Sequence, residues 1–135
     1  MRSLVACLVL AVPLAGGAAQ QQEPKVPKRQ VGKASIYANK FAGRKMANGE
    51  RMDPRDNNAA SKTLPLGTKA LVRNLDTGKS AVVTIEDRGP FVAGRIVDLS
   101  PATAEQIGLT KKEGIAPVEV IPLEVPDNER KVAGK

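Results

Sequence analysis

Small and apolar residues alternate with polar ones along Val31–Ala38, a two-residue period that predicts a first strand. Two further β-rich runs, Thr68–Leu75 and Ser80–Glu86, flank Asp76-Thr77-Gly78-Lys79, a hairpin turn with glycine at the left-handed position. Arg95–Leu99 predicts another short strand, and Ile115–Pro122 a last one. Between these two, Ser100 and Pro101 supply an N-cap and a first-turn proline for a helix running to Ile107 and stopped by Gly108. Phe41–Asn58 contains Gly43, Gly49, Pro54 and paired asparagines, so it reads as a long irregular connection. Such a loop inside a small domain is expected to be functional or held by specific contacts. Several short strands with one late helix predict a mainly β fold, a small barrel, without specifying its topology.

Composition narrows the picture. A chain of 135 residues can bury one core, flanked by tails. Only Tyr37, Phe41 and Phe91 are aromatic, so the core must be built from Val, Ile, Leu and Ala. At the N-terminus, Arg2, an apolar Leu4–Ala15 stretch and Gly17-Ala18-Ala19 form an export signal cleaved near Ala19, residues 1–19. Leu4-Val5-Ala6-Cys7 has the pattern of a lipoprotein signal, but Cys7 precedes most of the apolar run, so cleavage after Ala19 is the expectation. Residues 20–30 read as a disordered linker, 31–126 as the folded domain and 127–135 as a flexible tail. The net charge of +7 would suit nucleic acid in another compartment. An exported chain instead meets anionic lipids, acidic wall polymers and peptide carboxylates, so no nucleic-acid partner is expected.

Several stretches carry a resemblance. Gly32-Lys33-Ala34-Ser35-Ile36-Tyr37, Phe41-Ala42-Gly43-Arg44-Lys45-Met46-Ala47-Asn48-Gly49-Glu50 and Ala59-Ala60-Ser61-Lys62-Thr63-Leu64-Pro65-Leu66-Gly67-Thr68 are similar, in order and spacing, to the rare lipoprotein A family. Glu86-Asp87-Arg88-Gly89-Pro90-Phe91-Val92-Ala93-Gly94-Arg95-Ile96-Val97-Asp98-Leu99-Ser100 and Gly114-Ile115-Ala116-Pro117-Val118 continue it. The resemblance implies a six-stranded double-psi β-barrel of the expansin and barwin type. It also implies lytic transglycosylase cleavage of peptidoglycan strands stripped of stem peptides, in the periplasm or cell envelope.

The residues themselves restrict the chemistry. There is no histidine, and Cys7 is the one cysteine, so imidazole acid–base catalysis is excluded and a mature chain lacks thiol chemistry and His/Cys metal sites. Carboxylates remain, and glycosidic cleavage runs on carboxylates. A lytic transglycosylase needs one acid that protonates the bridging oxygen and then, as base, takes the proton of the muramic 6-hydroxyl while that oxygen closes on the anomeric carbon. Asp87, at a strand end and in phase with Val83 and Ile85, is the candidate, and the resemblance makes it the catalytic position. Its competing reading is a cap on the Arg88-Gly89-Pro90 turn. Glu50 matches the family's second acidic position, and Asp98 is expected to bond the turn before the helix. Ser61 stands where the family carries a histidine, and serine can neither become a cation nor titrate near neutrality.

For substrate contact, Tyr37 and Phe91 could stack on sugar rings, while Asn48, Arg88 and Arg95 could hydrogen-bond N-acetyl or lactyl groups. Arg88 could equally be tied to Asp87. Three functions remain open at this level: a lytic transglycosylase, a non-catalytic glycan-binding module and a secreted adaptor for other cell-wall or division proteins. No cofactor or metal is implied, and a monomer is expected.

Overall fold

The computed structural model describes residues 27–126. The signal, Cys7, residues 20–26 of the linker and the 127–135 tail lie outside the described residues. Six strands close into a barrel: β1 (Gln30–Ile36), β2 (Asn58–Ala60), β3 (Lys69–Asn74), β4 (Ser80–Asp87), β5 (Arg95–Leu99) and β6 (Ile115–Glu124). One α-helix among the described residues, α1 (Pro101–Gln106), sits between β5 and β6, and a short 3-10 helix, Asn39–Phe41, follows β1. Around the barrel the order is β1-β5-β2-β4-β3-β6. Two pairs, β1 with β5 and β2 with β4, run parallel, and the other neighbours are antiparallel. This is the double-psi arrangement.

Local chemistry accounts for most element boundaries. Asn74 to Lys79 form the β3–β4 turn, with Gly78 at a φ of 76° that a side chain would strain. The Ser100 hydroxyl accepts from the Thr103 amide at 3.2 Å, and Pro101 opens α1. Strand β2 escapes the alternation pattern because Asn58, Ala59 and Ala60 are all buried. With neighbours on both edges and packing on both faces, it shows no polar side to read.

The barrel interior is aliphatic. Ala34, Ala59, Val72, Val83, Ile85, Val97, Leu99 and Val118 are buried together, with Ile107 of the helix end closing against them. A separate small cluster, Tyr37, Met46, Met52 and Ala60, forms outside the barrel wall beneath the 38–57 connection. That connection is tied down by backbone bonds, Gly43 N to Met52 O at 2.8 Å and Asn48 N to Glu86 O at 3.1 Å among them.

Register shifts decide which side chains face which way. Ala59 pairs with Ile85 and Ala60 with Asp87, so Glu86 is skipped and β4 bulges. Lys33 pairs with Arg95 and Ala34 with Val97, skipping Ile96 in β5. The alternation from Val83 and Ile85 would aim Asp87 into the barrel. The bulge corrects that expectation and puts Asp87 on the outer face with Ala60.

Leu99 is fully buried at the junction of β1, β5 and β2. Leu99→Ala is expected to lower unfolding stability by about 2–5 kcal/mol, measured by urea denaturation.

Candidate active site

Four adjacent strands lay Ser35, Asp98, Ala60 and Asp87 side by side. Ser35 of β1 pairs with Asp98 of β5, Asp98 with Ala60 of β2, and Ala60 with Asp87 of β4. The two acidic backbones are thus two strand spacings apart, about 9.6 Å. Between them Ala60 is fully buried and carries only a methyl group.

Asp87 accepts three hydrogen bonds. The Tyr37 hydroxyl donates to Oδ2 at 3.0 Å, and the amides of Ala47 and Arg88 donate to Oδ1 at 2.9 Å each. Burial first, then the charge of Asp87 and the bond to it, push the Tyr37 phenol far above its ordinary range, so Tyr37 remains a donor. Asp98 accepts from the Ser35 hydroxyl. Its carboxyl is pushed above the ordinary carboxylate value by burial and, more weakly, by the Asp87 charge, against the pull of Ser35 and Arg95.

Both carboxyls open on one groove of about 490 Å³, walled also by Ser35, Tyr37, Lys40, Phe41, Arg88, Phe91 and Arg95. Gly89, in the groove wall, has a φ of 126° that a side chain would strain. Phe91 is 80% exposed on the rim. On the opposite wall, Phe41 packs edge-on against Tyr37 at 5.9 Å between ring centroids, with Lys40 and Arg44 over its own ring.

Of the residues singled out from the sequence, Asp87, Tyr37, Arg88, Phe91 and Arg95 line this groove. Tyr37 is buried, so its contribution there is the hydroxyl on Asp87 rather than a ring face. The Arg88 guanidinium turns away from Asp87 to the carbonyls of Ser61 and Leu64. Glu50 and Asn48 occupy the tight turn of the long connection, where Asn48 Oδ1 accepts the Glu50 amide at 2.9 Å. Glu50 is exposed, and its charge acts on Glu86, whose carboxyl is raised first by burial and then by Glu50 and Asp56.

Ser61 is 1% exposed, and its hydroxyl accepts the amides of Thr63 and Leu64 at 3.3 and 3.1 Å. It is outside the groove wall and forms the turn after β2. Asp98 is the group that sequence reasoning placed elsewhere: its Asp-Leu-Ser-Pro setting looked like a helix lead-in. Its pairing with Ser35, sixty-three residues away, has no local signature.

Comparison with known proteins identifies the family and the fold. The family model described as lytic transglycolase matches residues 29–120. The chain belongs to the rare lipoprotein A (RlpA) family. It is 48% identical over 98 residues to "Endolytic peptidoglycan transglycosylase RlpA" of Pseudomonas aeruginosa (strain UCBPP-PA14), covering 67% of this chain and 29% of that protein. The protein of the same name in Vibrio cholerae is 48% identical over 101 residues, covering 73% and 38%. A "Probable endolytic peptidoglycan transglycosylase RlpA" of Aquifex aeolicus is 44% identical over 95 residues, covering 70% and 42%. The chain thus spans less than half the length of these RlpA relatives. Among solved structures, Streptomyces papain inhibitor (SPI) superposes with a TM-score of 0.57 at 19% identity, covering 76% of this chain and all of that one. Apo Clavibacter michiganensis expansin gives 0.56 at 20% identity, covering 73% and 52%. These two share the fold.

Two measurements check the site. Ser61→Ala leaves two amides without their acceptor and is expected to cost about 1–3 kcal/mol of stability, read from urea midpoints. Because the Asp98 carboxyl is raised, folding favours its protonated form. That contribution is complete below the ordinary value of 3.8 and is lost as pH rises through the raised value. Asp98→Asn is therefore expected to gain stability relative to wild type as pH climbs above about 3.8. Denaturant titrations across pH would refute this by showing a constant difference.

Proposed function

We propose that this chain cleaves peptidoglycan glycan strands as an endolytic lytic transglycosylase, working outside the inner membrane after export. The observation that carries the reading is the Asp98–Ala60–Asp87 row, with both carboxyls opening on a single groove. The names of the RlpA relatives supply the substrate and the reaction type.

In this reading the two carboxyls divide the work. Asp98, pushed up by burial, carries the proton and donates it to the bridging oxygen as the bond from that oxygen to the anomeric carbon breaks. Asp87, an acceptor fixed by Tyr37 and two amides, faces the positive charge that develops on the sugar. The Asp98 carboxylate then removes the proton of the 6-hydroxyl as its oxygen bonds to the anomeric carbon. The product ends in a 1,6-anhydro ring, no water is consumed, and Asp98 is again protonated. The acid–base role expected of Asp87 passes in this proposal to Asp98, and Asp87 keeps a charge-stabilising one.

Phe91 offers a stacking face on the rim, and Arg95 a cation beside Asp98 for lactyl carboxylate or N-acetyl oxygen. Ser61 takes a supporting part, holding the turn whose carbonyl receives Arg88. Glu50 stays outside the groove, its charge acting on Glu86.

Incubation with denuded glycan strands, followed by mass spectrometry, is expected to reveal 1,6-anhydromuramic ends. Asp98→Asn and Asp87→Asn should each lower their rate of appearance by roughly 10²–10⁴-fold. Absence of such ends with wild type, while the protein still sediments with insoluble glycan, would replace cleavage by glycan binding alone.

A further inference from the structure

The groove over the two carboxyls does not stand alone. Ile36, Tyr37 and Ala38 wall it on one side, and the same three residues wall a neighbouring depression of about 240 Å³. That depression in turn shares Ile36, Pro101 and Lys111 with a cavity of about 610 Å³, larger than the groove itself. Three adjoining hollows thus run from Asp87 and Asp98 across the end of β1 to the helix side of the barrel.

The far cavity has a definite chemistry. Its wall is mostly apolar, from Ile36, Pro54, Pro101, Ala102 and Leu109. Two cations, Arg55 and Lys111, and one carboxylate, Glu105 of α1, border it. Arg55 is already engaged with Asp53, Nε to Oδ1 at 3.2 Å. Lys111 is exposed and forms no ion pair among the described residues, and it borders both the far cavity and the connecting depression. Apolar wall and free cation match a sugar that carries methyl groups and a carboxylate, which describes an N-acetylmuramic residue with its lactyl group unblocked.

We propose that this cavity seats a muramic residue of the same strand, several sugars away from the scissile bond, with its lactyl carboxylate on Lys111. The inference rests on the peptidoglycan reading above and extends it. Cutting within a strand requires a grip beyond the two sugars at the reacting bond, and a distal seat supplies it without touching the chemistry. The connecting hollow, over Ala38 and Gly114, gives the strand its path.

The test uses peptide-free strands of alternating N-acetylglucosamine and N-acetylmuramic acid, as a disaccharide and as an octasaccharide. They are titrated into 15N-labelled protein carrying Asp98→Asn so that the strand stays uncut. The octasaccharide is expected to shift the amides of Ala102, Leu109 and Lys111 as well as those around Asp87, and the disaccharide only the latter. Adding Lys111→Glu should weaken octasaccharide binding about fivefold and leave the disaccharide unchanged. Ala102→Trp, which fills the cavity, should do the same. Amidating the carboxylates of the octasaccharide should erase the effect of Lys111→Glu. No octasaccharide-induced shift at those three amides, or equal weakening for both lengths, overturns the proposal. Distal shifts without anhydro product from wild type would defeat the cleavage reading and leave the seat standing; product without distal shifts would do the reverse.

Discussion

Strand β2 is three residues long and has no free edge, face or end. It is hydrogen-bonded to β4 on one side and β5 on the other, and all three side chains are buried. Without it the barrel would not close, and the carboxyl-bearing ends of β4 and β5 would have no common neighbour. Its last residue, Ala60, sets the spacing between Asp87 and Asp98 and keeps the floor between them low. A larger side chain there would push into the Tyr37, Met46 and Met52 cluster and displace the phenol that holds Asp87.

The site is assembled from two layers of differing character. Beneath it lies the aliphatic interior, which gives β4 and β5 rigid seats. Above it, the 38–57 connection folds down onto the outer face and contributes the Ala47 amide to Asp87. The bulge at Glu86 lets these layers meet: it skips one residue, so β4 feeds the core with Val83 and Ile85 before the bulge and the groove with Asp87 after it. An acidic pair thereby sits at the centre of a basic chain, with Lys40, Arg88 and Arg95 around the groove. In the proposed cleavage, the surrounding cations would draw in an anionic strand and the acidic pair would meet it at the middle.

Much of the barrel was legible in the residues. The runs around β1, β3, β4, β5 and β6 alternate because each has one face toward the core, and the hairpin at Gly78 and the Ser100–Pro101 helix start carry their own local chemistry. The groove's Asp87, Tyr37, Arg88, Phe91 and Arg95 were also legible, because they cluster near motif turns. What failed to show was long-range. Strand β2 has no polar face to produce a period. Ser61, where the family carries a histidine, accepts two amides of its own turn with its hydroxyl while its amide donates to the Asp87 carbonyl, a placement that spacing alone does not reveal. Asp98 read as a turn residue because its partners Ser35 and Ala60 come from distant parts of the chain.

By itself, the sequence determined a mainly β fold with an aliphatic core, a set of ionisable side chains without imidazole, and a glycine- and proline-rich segment around the acidic motif. These follow from residue type and short-range spacing, which act before any distant contact forms. The tertiary structure alone decided that Asp87 faces outward, that Asp98 stands two strands away from it, and that one groove is lined by both. A one-residue bulge reverses the facing of every side chain beyond it, and burial raises a carboxyl only once strands remote in sequence have closed around it.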